Sequence, residues 1–549
     1  MIKKIILISI AITFTFIGQV NYEPVNKGVY EYLNRLSVEG FLTLHDEIKP
    51  FTRIYIASKL KELLDKREEG LSLLEKEELR FYIRDFAVEL GRLGKNMKKY
   101  EATSDFLFFD HFGVDKYGKY NLFEWEDSQF SLVVNPILGH SYSHIASSAL
   151  SHRWNGATIH GSIGGSVAFD LIFLDNLETG KTVDLTRRFT KKTGYTFLKL
   201  NSATSLEYDE VNANVTVSNT WGSITVGKDF NYYGDGMNGN LILGDKAPSF
   251  PQIKIEVSPV DWFKFSYMHG WLNSQVIDSS TIRINTSGGE TFLHVPKYIA
   301  AHMFSFTLTK NINLSIGESV IYSDRFQPIY LIPVMFFRLA DHYLTVPDNA
   351  AGNAQIYSSF WYKIPQFKTK FYGDLFIDEL SLEKSSNPQA IGYTIGVETI
   401  NPLIKESEVV FEYTKIEPFV YFHRDDAQFY SNYNYQLGHW IGSNGDQLFA
   451  SFKKRILRGF DVKLAFTYVR KGSAESKTAP RYLKSDTFLH GLRKTYKDLS
   501  IEAKYELIHD LIGKVYYQYS YVTDEDVTRT PAWQLGVNHS FGVSLQYGI

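Results

Sequence analysis

The 549-residue chain contains no cysteine. That excludes disulfide frameworks, thiol nucleophiles, zinc–cysteine sites and a lipid-anchored cysteine behind a leader. Excess charge of one sign is also lacking: 58 Lys and Arg stand against 61 Asp and Glu, a formal −3. No global basic field therefore points to nucleic acid. Beyond the first twenty residues no run reaches ~18 consecutive apolar residues, so no transmembrane helix is expected. A mean hydropathy of −0.19 is too polar for a bundle of such helices. No H-E-x-x-H, G-x-S-x-G or P-loop occurs, so no catalytic residue, metal or cofactor is expected. What is present is a hydrophobic share of 44%, enough for a large core, and 36 Tyr, 40 Phe and 8 Trp, or 15% aromatics. Glycine (39) outnumbers proline (16).

Residues 1–20 have the form of a secretory signal peptide. Lys3 and Lys4 precede an apolar stretch from Ile5 to Ile17. Thirteen residues rise only about 20 Å as a helix, short of a ~30 Å hydrocarbon core. The mature chain is expected to be exported.

Residues 21–105 predict a periplasmic helical module. Val29, Leu33 and Leu36 recur at helical spacing, and Thr52 can cap a helix carrying Ile56, Leu60 and Leu63. Ser72 to Glu75 is a capping box, and behind it Leu79, Ile83, Phe86, Leu90 and Leu93 form one stripe. From about Lys119 the period changes to two. Val211, Ala213, Val215 and Val217 alternate with polar residues, as do Phe460, Val462, Leu464, Phe466 and Tyr468, and the chain ends on Phe541, Val543, Leu545, Tyr547 and Ile549. Alternate side chains leave a strand on opposite faces. The polar faces here carry Gly, Ser, Thr, Asn and Gln, where a soluble β-sandwich would carry Lys and Glu. The segments run about 9–11 residues, the length a tilted strand needs to cross a bilayer. The fold expected is mainly β, a transmembrane antiparallel β-barrel of about 18 strands over residues 115–549, located in the outer membrane, with Tyr and Phe girdles at the interfaces. A periplasmic sandwich or solenoid is the alternative.

Gly234-Asp235-Gly236-Met237-Asn238-Gly239 matches G-x-G-x-x-G, but no helical period follows to receive a pyrophosphate. An inward-folded loop accounts for these glycines better. His140, His144, His152 and His160 are too far apart along a strand for one metal and are read as polar lumen or loop residues. Asp374 and Asp378 share a strand face and predict an ion-pair network inside the barrel with arginines such as Arg325 and Arg338. Tyr232, Tyr233, Trp271, Phe429, Tyr430, Tyr433, Tyr435, His439 and Trp440 lie in loops that mix aromatic and polar residues. Sugars offer C–H faces to rings and hydroxyls to Asn, Asp and Gln, so the mixture suits carbohydrate; membrane girdles are the competing explanation.

Between residues 223 and 255 the order Gly227-Lys228-Asp229, Tyr233-Gly234, Gly239-Asn240-Leu241-Ile242-Leu243 and Ala247-Pro248-Ser249-Phe250-Pro251 resembles the capsule assembly protein Wzi family. Lys297 to His302, Gly317 to Tyr322, Tyr330 to Pro333, Asp348 to Ala350 and Tyr372 to Asp378 are similar too, and the resemblance runs over about residues 115–549. Lys228 stands where the family has arginine, Tyr233 where it has tryptophan and Met303 where it has arginine; lysine lacks the planar fork. The resemblance implies an outer-membrane barrel with a periplasmic helical bundle, acting as a surface lectin that assists assembly and attachment of capsular or exopolysaccharide. It would contact outer-membrane lipid and lipopolysaccharide and the barrel-insertion machinery, and a monomer is expected. On that reading Tyr233, Asp235, Asn238 and Asn240 at the glycine loop, with Tyr430 and Trp440 as stacking platforms, bind sugar. Lys228, Glu318, Arg338, Asp374 and Asp378 form the lumen charge network. A porin for small solutes or oligosaccharides is the second reading, and a barrel-embedded hydrolase the third.

Overall fold

A computed structural model describes residues 21–66, 68–101, 107–109, 112–127, 129–196, 198–345, 352–379, 390–473 and 488–548. The expected signal segment and the terminal Ile549 lie outside the described residues. Eighteen antiparallel strands, from Phe130–Ile145 to Gly536–Tyr547, close a barrel by pairing the last with the first. Two short strands complete exposed edges. Phe123–Glu126 pairs with the lower part of the first strand, where the last has ended. Leu198–Ser202 pairs with the upper part of Ser205–Ser218.

The period-two pattern is the cause of the closed wall. Val215, Val217, Ile224, Val226, Phe541, Val543 and Leu545 all stand exposed on the outside. Their neighbours Asn214, Thr216, Ser218, Thr225, Asn538 and Ser540 are buried within. Apolar residues outward and polar residues inward is the inverse of a soluble protein, and only lipid makes it favourable. Trp221, Trp262 and Phe367 stand exposed at hairpin turns, as an interfacial aromatic girdle requires.

The strands are joined by short turns at one end and by longer connections at the other. Trp221 and its neighbours, 261–262, 310–311, 458–459 and 509–510 turn at the short end. Connections 230–249, 278–293, 324–352, 417–444 and 525–535 lie at the long end.

Among the described residues four α-helices precede the barrel: α1 Gly28–Val38, α2 Arg53–Asp65, α3 Leu73–Asp85 and α4 Ala87–Arg92. The capping signals act as local chemistry predicts. The Thr52 hydroxyl accepts from the Tyr55 N–H at 3.3 Å, and Ser72 and Glu75 form the reciprocal capping box. The stripe from Leu79 to Leu93 predicts one helix, whereas the structure breaks it at Phe86. The cause is Arg53: its guanidinium takes the Asp85 carbonyl at 2.7 Å, grips Glu89 at 2.7 Å and lies 4.2 Å over the Phe86 ring.

The helices cover the short-turn end. Glu31 meets Lys453 at 2.6 Å, Arg35 donates to Asn401 at 2.9 Å, and Tyr22 donates to Glu256 at 2.8 Å. These partners come from three separate hairpins around the rim.

Two long connections fold into the lumen and pack on each other. From 230–249 come Tyr233, Leu241, Ile242 and Leu243; from 417–444 come Tyr421, Tyr430, Leu437, Trp440 and Ile441. They share one apolar cluster with Met268, Ile299, Met303, Ile321, Tyr357 and Phe376 of the inner wall. The buried tyrosine hydroxyls join the two loops: Tyr421 donates to the Leu241 carbonyl, and Tyr430 to that of Ile242 at 2.9 Å. Gly234 adopts φ +114, and a Cβ there would lie 2.8 Å from the Asp374 carboxylate, so only glycine fits. The inward-folded reading of the glycine loop thus matches its geometry.

Lys370 ties the three parts. Its ammonium, on the inner wall, lies 2.5 Å from Asp46 of the N-terminal module and 2.8 Å from Asp235 of the plug. All three side chains are almost fully buried. Lys370→Met leaves two carboxylates without their cation and is expected to cost ~3–5 kcal/mol of barrel stability. Thermal unfolding of the full chain in detergent measures this, and adding Asp46→Asn and Asp235→Asn should recover most of the loss.

Candidate functional site

The plug packs on one side of the lumen, against the strands between Phe250 and Ile416. On the other side, at the long-connection end, two adjoining cavities of about 400 and 450 Å³ remain. Phe189, Trp440 and Lys494 line both. Trp440 is held by its indole N–H, which donates to the Asn238 carbonyl at 2.9 Å. Its ring meets Phe189 edge-on at 5.4 Å, and Tyr496 approaches both at 6.3–6.4 Å. The Lys494 ammonium lies 4.4 Å over Phe189. Lys191 donates to the Asn238 side chain at 2.6 Å and stands 5.9 Å from Trp440. Below these rings the first cavity runs down the inner wall past Asp498, Ser500, Gln518, Ser520 and Asn538. A ring wall above a ladder of carboxylate, hydroxyl and amide groups can stack on an apolar ligand face and hydrogen-bond its rim.

The residues expected to bind sugar divide between plug and cavity. Tyr233 is fully buried, its hydroxyl paired with Ser266 at 3.0 Å. Asp235 accepts from Ser359 and Lys370, both at 2.8 Å, and is structural. Tyr430 is corrected as a stacking platform: it stacks on Tyr421 within the plug core and has no face open to a ligand. Asn240 is half-buried at the glycine loop. Trp440 lines both cavities, and Asn238 stands behind them, accepting from the Trp440 indole and from Lys191. Phe189, Lys191, Lys494 and Tyr496 were not singled out from sequence; the one available signal was Tyr496 alternating in phase with Asp498, Ser500 and Glu502.

The lumen charge network needs a larger correction. Asp374 and Asp378 do face inward, but not to Arg325 or Arg338. Asp374 accepts from the Asp235 N–H at 3.1 Å and Asp378 from the Tyr421 N–H at 2.7 Å, so both anchor plug backbone. Lys228 shares the outward face of its strand with Ile224 and Val226, donating to the Val211 carbonyl at 2.8 Å. Glu318 also faces outward: its neighbour Ser319 bonds Gln355 inside. Arg338 is exposed on an external helix. Strand parity decides these positions. His140 and His144 likewise stand outward beside Leu545 and Phe541, while His152 and His160 face inward. Among the described residues no acidic or histidine group is arranged to hold a metal.

A closed 18-strand wall, an apolar exterior and a plugged lumen with a polar–aromatic cavity define an outer-membrane β-barrel. Residues 94–534 match the model of the capsule assembly protein Wzi family, and the chain belongs to that family. Among solved structures it is similar to Wzi of Escherichia coli, an outer membrane protein involved in group 1 capsule assembly and a carbohydrate-binding β-barrel. The TM-score is 0.58 at 13% identity, covering 97% of this chain and 100% of that one. OprD of Pseudomonas aeruginosa gives a TM-score of 0.42 at 12% identity over 76% of this chain and 93% of that one. OpdK of the same organism gives 0.44 at 8% over 76% and 98%. A search of curated protein sequences finds no match.

His439, in the plug beside Trp440, is fully enclosed. Its Nδ1 accepts from the Ile441 N–H at 3.3 Å and its Nε2 finds no partner. Burial, helped by Lys191, pushes its pKa down to about 3. The unfolded chain binds this proton near pH 6.5 and the fold does not, so stability is present above pH 6.5 and declines towards pH 3. Acid unfolding between pH 6.5 and 4 is expected to be shallower in His439→Phe than in the parent chain, measured by tryptophan emission of the full chain.

Proposed function

We propose that this barrel binds surface polysaccharide, without enzymatic action, and assists capsule or exopolysaccharide assembly and attachment. The supporting observation is the wall of Phe189, Trp440 and Tyr496 above the polar ladder of Asp498, Ser500 and Gln518. Short turns of bacterial outer-membrane barrels face the periplasm and long loops face outside. On that rule the helical module of residues 21–105 is periplasmic and the cavities open to the cell exterior. Export is assigned to the signal segment 1–20, insertion to the barrel-insertion machinery, and the working form to a monomer in lipid and lipopolysaccharide. E. coli Wzi is a carbohydrate-binding barrel of capsule assembly, and family membership extends that role to this chain.

The porin reading meets the plug. Tyr233, Leu241, Tyr421 and Tyr430 stand within the lumen and are buried in one cluster with its wall. A planar bilayer containing the full chain should show no steady ohmic steps; regular open-channel steps would favour the porin.

Two arms test the binding role. Deleting the gene should release polymer into the medium while synthesis continues; unchanged cell-bound polymer would refute the proposal. Trp440→Ala should weaken binding of the producing cell's own polysaccharide about fivefold, from the ~1 kcal/mol that one ring contact contributes. Titration by intrinsic fluorescence or calorimetry reads this.

A further inference from the structure

The described part of the connection after the strand ending at Ser323, residues 324–345, does not rise from the barrel mouth. It folds back over the outside of the wall. Strand parity shows this. Ser266, Met303 and Ser319 face inward, where Ser266 and Ser319 bond Tyr233 and Gln355, and Met303 joins the plug cluster. Their sequence neighbours Tyr267, His302 and Glu318 therefore face outward, and the three lie in one register row across adjacent strands. The row above carries His269, Ala300 and Val320, and the next carries Trp271, Tyr298 and Tyr322.

Glu318 is the seventh residue of its strand, counted from the short-turn end at Ile312. A crossing takes about 9–11 residues, so this row lies at bilayer depth. Directly beneath it on the same face, Ile312, Leu314 and Ile316 stand exposed as ordinary lipid-facing residues. A carboxylate, two imidazoles and tyrosine hydroxyls on such a wall would meet hydrocarbon, which is costly.

The returning segment covers them. Its helix α5, Phe337–Thr345, starts over the row, and the Phe337 N–H donates to the Glu318 carboxylate at 2.9 Å. The Phe337 ring lies 4.6 Å from the His302 ring. Tyr267 donates to the Tyr330 carbonyl at 2.7 Å, and the Tyr330 ring packs tilted against Tyr322 at 4.7 Å. His269 pairs with the Tyr322 hydroxyl at 2.7 Å. Tyr330, Phe337 and Ala340 are buried against the wall. The opposite face of the segment is apolar and open: Leu331, Ile332, Val334, Phe336 and Leu339 are 40–69% exposed.

We propose that residues 326–341 form an external strap embedded in the outer leaflet, which replaces the wall strands as the surface contacting lipid acyl chains. The occupant of its apolar face follows from continuity: that face extends the exposed belt of Ile312, Leu314 and Ile316 at the same side of the barrel. The polar row beneath is the strap's seat, in which Tyr267 is satisfied by the strap's backbone and Glu318 by its first helical turn.

The cysteine-free chain makes the test clean. Val334→Cys and Leu339→Cys each place a single thiol on the open face for a nitroxide label, in the full chain folded into phosphatidylcholine vesicles. Leu314→Cys is the lipid reference on the bare wall, and Ile284→Cys, on an exposed loop hairpin, is the aqueous one. Collisional relaxation by oxygen should match Leu314→Cys at both strap sites, with loss of the nickel-chelate relaxation seen at Ile284→Cys. Nickel access at both strap sites equal to Ile284→Cys overturns the proposal, as does shielding from both reagents, which would mean a protein partner on that face. Heat-modifiable migration on gels confirms that each variant is folded before the comparison.

Discussion

The Lys370 ammonium, between Asp46 and Asp235, joins chain segments 324 and 135 residues away to the inner wall. Its importance follows from the size of the barrel. Eighteen strands enclose more space than wall side chains can fill, and where the inner face is polar it gives no hydrophobic reason for anything to enter. The chain therefore supplies its own filling from two loops and its N-terminal module. Each must be fixed at a point where apolar packing alone leaves the register undetermined. A buried cation with two carboxylate partners fixes it, because displacement of the N-terminal module or of the glycine loop strands a charge. Around that point the backbone follows: Gly234 donates to the Glu47 carbonyl at 2.9 Å, and Ile48–Lys49 pairs with Tyr232–Tyr233 as a short sheet.

Much of this architecture is legible in sequence because its causes are local. Ser72 and Glu75 satisfy each other within one turn, and Thr52 caps its own helix, so those starts are readable from a few residues. Alternation in Val211–Val217 or Phe541–Tyr547 reports a half-buried strand without reference to anything distant. The family resemblance rests on short strings; those within the described residues lie in the wall, the plug and the strap, and Asp348 to Ala350 lies outside the described residues. What was not legible was facing. Glu318 and Lys228 carry charge, and charge in a membrane strand suggests the lumen; parity places both outside. Glu318 is tolerated there only because residues about twenty positions later return to cover it, a tertiary fact with no local signature. The break at Phe86 has the same character, since it depends on Arg53 from another helix.

The candidate site was half legible for a related reason. Trp440 and Asn238 stand in loops conspicuous for mixing rings with amides. Tyr430 and Tyr233 stand in the same loops and have the same composition, yet their rings serve the plug. Composition separates neither use; the hydrogen bonds do. The buried hydroxyls of Tyr421 and Tyr430 end on plug carbonyls, while the Trp440 indole is anchored at one edge and leaves a ring face towards Phe189 and Tyr496.

The barrel wall is consequently not uniform, and its two sides explain where a ligand can go. Strands from Phe250 to Ile416 carry apolar residues inward, including Met268, Ile299, Met303 and Phe376, and these hold the plug. Strands after Arg493 carry Tyr496, Asp498, Ser500, Gln518 and Asn538 inward, and there the plug leaves room. Across the first group the middle of the strand His294–Thr309, from Ile299 to Met303, is buried on both faces, under the plug inside and the strap outside. Ala300 and Ala301 are both below 2% exposed although they point in opposite directions. Small residues on each side let two layers approach one strand, and the run Tyr298 to Met303 loses the strict alternation of a lipid-facing stave for the near-continuous apolar character of a doubly covered one. That thick side supplies rigidity to the plug, and the thin, polar side opposite supplies the cavity, so the same asymmetry that fills the barrel also sets the position of its binding space.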